Sequence, residues 1–300
     1  MKIGINIPDV GFSSTAVGAE CTRARACEAL REQLDFLGRL DLDSVELRPG
    51  SLDLIRNGVL DEKGCSSVLD VLSSYDFTYA AHAPYKINLA SPSMLEISEK
   101  IVRSCIDFCV MAKAQVLVLH SGYISPNDEI SESESLGFLV DSVRRSAEYA
   151  RDLGVLIGIE NGELSPTHLC RRIDSLVEVV KDVDMNNVGI TFDFGHAYIS
   201  AGYYRFDFLK AVEEALPYVI HAHVHDNFGR FNPLSPHDTN HDLIFGYGDL
   251  HLPIGWGTIP YEDVFGLVKG TYDGIYVLEL RPRYREHIQH TIAKLRELLG

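Results

Sequence analysis

Three histidines, His221, His223 and His225, occupy every second position of VIHAHVHDN (219–227), and Asp226 follows. Successive side chains of a β-strand alternate between faces, so all three imidazoles would line one side of such a strand. At about 3.3 Å per residue, the outer two would stand about 13 Å apart, too far to share one ion. The run therefore reads as three depths of one stave. His221 is expected deepest, as a polar core residue that orients a ligand. His225 and Asp226 are expected at the exit, touching substrate or anchoring a loop.

The same residue types end other short apolar runs. FTYAAHAP (77–84) carries His82, VLVLHSG (116–122) His120 and LIGIENG (156–162) Glu160. VGITFDFGH (188–196) carries Asp193 and His196, and GIYVLELRP (274–282) carries Glu279. SVELRP (44–49) adds Glu46, and the segment after the histidine run adds Asp249 and His251. A lone histidine at a strand end is usually a hydrogen-bonded structural residue. A buried carboxylate is costly without a partner. Glu160, Asp193, Asp249 and Glu279 converging with at least five imidazoles would repel or go unsatisfied without cations. Divalent metal answers both problems, and mixed imidazole and carboxylate donors suit Zn, Mn or Fe better than a calcium-type oxygen cage.

Converging side chains need a scaffold that brings distant segments to one level. KIGINIP (2–8) joins the seven runs above to make eight strand candidates rich in Val, Ile, Leu and aromatics. Stretches with three- and four-residue apolar spacing lie between them, among them ACEALREQLDFLGRL, MLEISEKIVRSCIDFCVMAKA, LGFLVDSVRRSAEYARDLG, SLVEVVKDV and, last, REHIQHTIAKLRELLG. Strands alternating with helices imply a parallel sheet. Eight such units in 300 residues imply an α/β fold of the (β/α)8 TIM-barrel type, one domain over 1–300, with its site at the carboxyl ends of the strands. A doubly wound sheet is the competing architecture, and the absence of a GxGxxG turn or a P-loop weighs against it. One connection, 228–260, runs over thirty residues with little periodicity. Its Gly, Pro, Asn and aromatic content predicts an ordered loop that grips the site.

The bulk numbers set limits. A formal charge of −16 and a pI near 5.1 exclude a global basic field for nucleic acid or an anionic membrane. No run approaches the ~18–20 apolar residues of a membrane span, and the start has no signal-peptide core. Six cysteines without CxxC spacing predict buried, reduced thiols and a cytoplasmic location.

Taken together, HAPYKINLA, LHSG, IEN, FDFGH, HVHDN, DLHLPIGWG and LELRP resemble the xylose isomerase-like TIM barrels, over essentially the whole chain. That superfamily includes sugar and sugar-phosphate isomerases and epimerases, and also the endonuclease IV enzymes of abasic-site DNA repair. The resemblance implies two nested ligand sets. The isomerases and epimerases typically hold one divalent ion at positions matching Glu160, Asp193, His223 and Glu279. Endonuclease IV holds three zinc ions at positions matching His82, His120, Glu160, Asp193, His196, His223, Asp249, His251 and Glu279. One to three divalent ions per chain (Zn, or Mn, Mg or Co) follow. Two ions would neutralise the four carboxylates, and a third would leave the positive excess that suits a scissile phosphate.

Two mechanisms follow from the resemblance. In an isomerase or epimerase, Glu160 and Glu279 shuttle a proton through an enediolate of a small sugar or sugar phosphate. In a phosphodiesterase of the endonuclease IV kind, the partner is nucleic acid. Departures from the nuclease pattern favour the first. FDFGH stands where the nucleases have a polar residue and a cysteine between Asp and His. HVHDN replaces HxND, DLH replaces DRH, and no AGQG follows Glu160–Asn161. A metal-binding scaffold without catalysis is the third reading, and the presence of both Glu160 and Glu279 weighs against it. Arg281 is a candidate anion binder, with Arg283 and Arg285 beside it. Trp256, His225 and Lys86, next to Tyr85, are further candidates for substrate contact. His237 and His241 are expected to be exposed in the long loop, and His168, His287 and His290 to be helical and exposed.

Overall fold

The structure, a computed structural model, describes residues 1–7, 19–232 and 243–300, with side chains from residue 24 onward in the first helix. The expected eight runs form eight strands: β1 (Lys2–Asn6), β2 (Ser44–Leu47), β5 (Thr78–His82), β6 (Ala114–His120), β7 (Leu156–Glu160), β8 (Val188–Asp193), β9 (Val219–Val224) and β10 (Ile275–Leu278). They close in the order β1-β10-β9-β8-β7-β6-β5-β2, every neighbouring pair parallel. This is the (β/α)8 barrel that the alternation predicts. Burial along β2 and most of β8 is continuous rather than alternating, because helices cover the outside while side chains fill the inside. Ile3, Val45, Leu117, Ile157, Ile190 and Tyr276 are fully buried in that core. Cys65, Cys105, Cys109 and Cys170 are buried as packing residues.

The helices follow their local signals. Glu132–Arg151 starts at a reciprocal cap between Ser131 and Glu134, and Leu95–Ala112 stops at Lys113 with φ of 54°. The structure departs from the sequence expectations at four points. β3 (Ile55–Arg56) and β4 (Val59–Leu60) form a small antiparallel hairpin outside the barrel. Its signal was the Asn57–Gly58 dipeptide, both residues at positive φ as a tight hairpin turn requires. The run 188–196 is strand only to Asp193. Its carboxylate then caps the helix Phe194–Tyr204 by accepting from the His196 amide at 2.7 Å, so His196 sits on the first helical turn. His168 is likewise neither helical nor exposed. It bridges to Tyr123 in a loop and lies half-buried beside Tyr85. His287 is in a 3-10 turn, Pro282–His287, partly covered by Trp256.

His237 and His241 lie outside the described residues. The described flanks of the long loop are tied down by Asp226. Its carboxylate accepts from the amides of Gly255 and Gly257, each at 2.9 Å, and Ile259 at 3.3 Å. Leu252 bridges to the Asp226 backbone, and the Tyr261 hydroxyl donates to the His225 carbonyl. Burial pushes the Asp226 carboxyl up, and the amides only partly offset it. Asp226→Ala strips four amides of their acceptor, those of Asn227 and Ile259 buried and those of Gly255 and Gly257 part-buried, and is expected to cost on the order of 3 kcal/mol. Denaturant unfolding measures it. A loss below about 0.5 kcal/mol would mean that water replaces the carboxylate.

Candidate metal centre

Strand register assembles the site. His120 pairs with Glu160 across β6 and β7, and Asp193 with His223 across β8 and β9. Glu279 follows the last residue of β10, whose Leu278 pairs with Val224. Parallel strands in this register bring their terminal side chains to one layer at the barrel mouth. Four overlapping sets of donor atoms result at the mouth, each mutually within 4.8 Å: His82, His120 and Glu160; His82, His223 and Glu279; Glu160, Asp193, His223 and Glu279; and His196, His225, Asp249 and His251. All nine residues matched to the larger ligand set are therefore in one place, and His225 is with them.

The orphaned atoms point to cations. Glu160 Oε2, Asp193 Oδ2, His196 Nε2 and Asp249 Oδ1 are buried with no hydrogen-bond partner. His82 and His120 present Nε2 to Glu160 Oε2 at 3.5 and 3.4 Å, and His196 presents Nε2 to Asp249 Oδ2 at 3.5 Å. Donors sharing one ion at 2.0–2.1 Å in a tetrahedron stand about 3.4 Å apart. These separations match a shared ion better than direct hydrogen bonds. Three rings are also fixed for metal: His82, His196 and His251 donate Nδ1–H to the carbonyls of Ala83, Asn161 and Glu279 at 2.8, 3.1 and 2.8 Å. Each is left with Nε2 toward the mouth, that of His251 at 2.6 Å from Asp249 Oδ2, the outer-sphere arrangement of metal-binding histidines. The residues present thus fit divalent ions.

A fifth carboxylate, Glu46, supports this layer from below. Glu46 Oε2 accepts from His221 Nε2 at 2.9 Å and from His223 Nε2 at 3.1 Å, and all three residues are wholly buried. His223 is thereby turned so that Nδ1 faces Glu160 Oε1 at 3.0 Å. His221 does not reach the mouth; it shares the Glu46 carboxylate one layer down. Asn161 fastens Asp193 on both sides, accepting from its amide at 2.8 Å and donating to its carbonyl at 2.9 Å.

The sequence reading missed two residues on Glu279. Asn6 Nδ2 and Arg48 Nη2 both reach Glu279 Oε1, the latter at 3.3 Å, and Asn6 also donates to Glu46 at 3.1 Å. A signal existed: Glu-Leu-Arg-Pro occurs twice, at 46–49 and 279–282, at the ends of two barrel strands. The two arginines then part. Arg48 lines the mouth. Arg281 donates to the carbonyls of Asp249 at 2.6 Å and Leu250 at 3.3 Å, holding the loop rather than facing a ligand. Trp256 is partly exposed and lies edge-on to Tyr284 and His287, and Lys86 is exposed on the loop after β5.

Without ions, protons take their place. Burial disfavours a charged His251, but Asp249 and Glu279 outweigh it and raise the ring to about 9. The same contest leaves His196 well above its usual value through Asp193 and Asp249, and His223 through Glu279, Glu46 and Glu160. At His120 burial wins and lowers the ring to about 3. A histidine raised on folding contributes stability that is full below about pH 6.5 and lost as pH rises through its folded value. Metal-stripped protein is therefore expected to melt several degrees lower at pH 9.5 than at pH 6.5. Metal-loaded protein should not show that decline, and loading at pH 7 should release at least one proton per chain. Calorimetry in buffers of different ionisation enthalpy reads the protons. Zero release would contradict the proton-for-metal exchange.

Barrel and buried His–carboxylate mouth together define a class, the TIM barrels that gather potential metal ligands at the carboxyl ends of their strands. The comparisons sharpen it: the chain matches the xylose isomerase-like TIM barrel family over residues 34–298, and it belongs to that family. An uncharacterized protein of Methanocaldococcus jannaschii, MJ1311, is 30% identical over 224 residues, 73% of this chain and 70% of its own. A probable endonuclease 4 of Mesomycoplasma hyopneumoniae (strain J) is 27% identical over 220 residues, 71% of this chain and 75% of its own. Among solved structures, a D-tagatose 3-epimerase-like protein superposes with a TM-score of 0.75 at 26% identity, covering 100% of this chain and 97% of that one. A D-psicose 3-epimerase shares the fold at 16% identity, TM-score 0.72, with both chains fully covered. No helix among the described residues is long and apolar enough to cross a membrane.

Proposed function

We propose that this protein is a metal-dependent isomerase or epimerase of a small sugar or sugar phosphate, acting in the cytoplasm. The observation that carries the reading is the four-residue set Glu160, Asp193, His223 and Glu279. In the ring of strands, β7 and β10 flank β8 and β9, so Glu160 and Glu279 stand on either side of Asp193 and His223. A substrate over this set meets one carboxylate on each face. Zn, Mn, Mg or Co held there would polarise the substrate carbonyl and its neighbouring hydroxyl. One glutamate then takes the proton from the carbon beside the carbonyl, and the other returns a proton to the opposite face. Asn6 and Arg48 orient Glu279 for this transfer. Arg48, partly exposed at the mouth, is also the guanidinium available to a phosphate or a developing oxyanion. The similarity to the D-tagatose 3-epimerase-like protein supports the reading.

The competing reading is a zinc-dependent phosphodiesterase acting on abasic DNA. It is favoured by one observation, the convergence of all nine matched ligands in four overlapping sets, and by the similarity to probable endonuclease 4. Incubating Mn- or Co-loaded protein with a panel of ketoses in deuterated water separates the two. Deuterium beside the carbonyl is expected. Its absence across the panel, together with incision of an abasic duplex, would replace the isomerase with the nuclease.

A further inference from the structure

One histidine in the mouth has no role in either mechanism. His225 is wholly buried, and neither of its ring nitrogens has a hydrogen-bond partner. Its Nε2 lies 3.2 Å from Asp193 Oδ1 and 3.5 Å from Asp249 Oδ1, in both cases without hydrogen-bond geometry. The ring stacks on His251 at a centroid distance of 4.0 Å and stands edge-on to His196 at 5.9 Å. An imidazole buried with both nitrogens unsatisfied is unfavourable unless something absent from the protein chain completes it. Donor atoms of His196, Asp249 and His251 share its neighbourhood within 4.8 Å, and two of those rings already present Nε2.

The helix opposite His225 is shaped to admit it. A Cβ on Gly195 would stand 2.0 Å from His225 Cε1 and 2.5 Å from its Nε2, closer than real carbons approach. Any side chain at 195 therefore displaces the imidazole. Two departures from the nuclease pattern, glycine in FDFGH and the last histidine in HVHDN, are thus two sides of one contact. A cysteine at 195 and this ring at 225 exclude each other.

We propose that His225 is a fourth protein ligand of an ion held by His196, Asp249 and His251, a closed three-histidine, one-carboxylate site. Four protein donors fill a tetrahedral zinc ion and mark a structural site, whereas catalytic sites keep a position open. The ion then clasps three segments: the helix Phe194–Tyr204, the exit of β9 and the loop bearing Asp249 and His251. It holds the loop at the mouth and takes no substrate oxygen. The inference goes beyond the proposed function and stands whichever reaction the Glu160–Glu279 set performs. It also deprives a three-ion hydrolysis of an open third ion.

The test uses the full chain, stripped of metal and titrated with zinc. His225→Asn is expected to lose one ion per chain or to bind that ion at least about tenfold more weakly, with the other ions retained. Gly195→Ala keeps every ligand in the chain but displaces the ring, and the same loss is expected. Should either variant fail to fold, anomalous diffraction at the zinc edge on the unaltered protein decides. An ion about 2.0–2.1 Å from His225 Nε2 with no water in its shell is expected. An ion beyond 3 Å from His225, an ion carrying water, or full zinc affinity in His225→Asn would overturn the proposal. Ketose exchange is read separately, so an inactive protein with zinc on His225 would sink only the sugar reading.

Discussion

Glu160→Gln is expected to abolish turnover, by at least about 10⁴-fold, and to lower the metal content as well. Glu279→Gln is expected to cost about 10³-fold while keeping most of the metal. Removing a positioned acid or base costs 10²–10⁴-fold on its own, and both glutamates fill that role in the proposed transfer. Their surroundings separate them. Glu160 belongs to two donor sets, with His82 and His120 on one side and Asp193, His223 and Glu279 on the other. An amide there weakens two sites at once. Glu279 also belongs to two sets, with His82 and His223 in one and Glu160, Asp193 and His223 in the other, but Asn6 and Arg48 already hold its other oxygen, so an amide there gives up less. Metal analysis beside single-turnover exchange measures the two effects independently. Equal metal loss in both variants would mean that Asn6 and Arg48 do not offset the change at Glu279. A Glu279→Gln protein with full turnover would remove it from proton transfer.

The second large effect belongs to a residue that never reaches the mouth. Glu46→Ala is expected to destabilise the metal-free protein by about 3–5 kcal/mol, the range for breaking a buried ion pair from one side. It should also weaken metal binding about 10- to 100-fold. Glu46 accepts from His221, His223 and Asn6, and all four residues are buried. Burial alone would push its carboxyl up, and the two imidazoles hold it well below the usual carboxylate range. Without it, His223 can rotate and lose the orientation that turns Nδ1 toward Glu160. Glu46→Gln keeps an acceptor oxygen and should recover part of both losses. Chemical unfolding and zinc competition measure them. Unchanged zinc affinity in Glu46→Ala would show that the β9 backbone alone aims His223.

Barrel and donor layer were legible in the sequence because both follow from short-range rules. Eight β-branched runs separated by helical spacing permit little besides a parallel barrel, and every run became a barrel strand. Polar residues at the ends of those runs had to converge, because the carboxyl ends of barrel strands share one rim. The Asn57–Gly58 hairpin was equally local and could have been read. His196 was harder, because only the cap made by Asp193 turns that segment from strand to helix.

By itself, then, the sequence determined the alternation of strand and helix, the level at which the histidines and carboxylates of the strand ends would lie, and the burial of Cys65, Cys105, Cys109 and Cys170. Partnership was decided only by tertiary structure. Glu46 and His221, 175 positions apart, share a hydrogen bond. Two identical Glu-Leu-Arg-Pro segments send one arginine to the mouth and the other to loop carbonyls. Gly195 leaves the hollow that His225 fills. The physical reason is common to all three. Residue type and period set which way a side chain points, but hydrogen bonds and close contacts depend on distances of a few tenths of an ångström. Those distances exist only once strands far apart in the chain have closed the barrel.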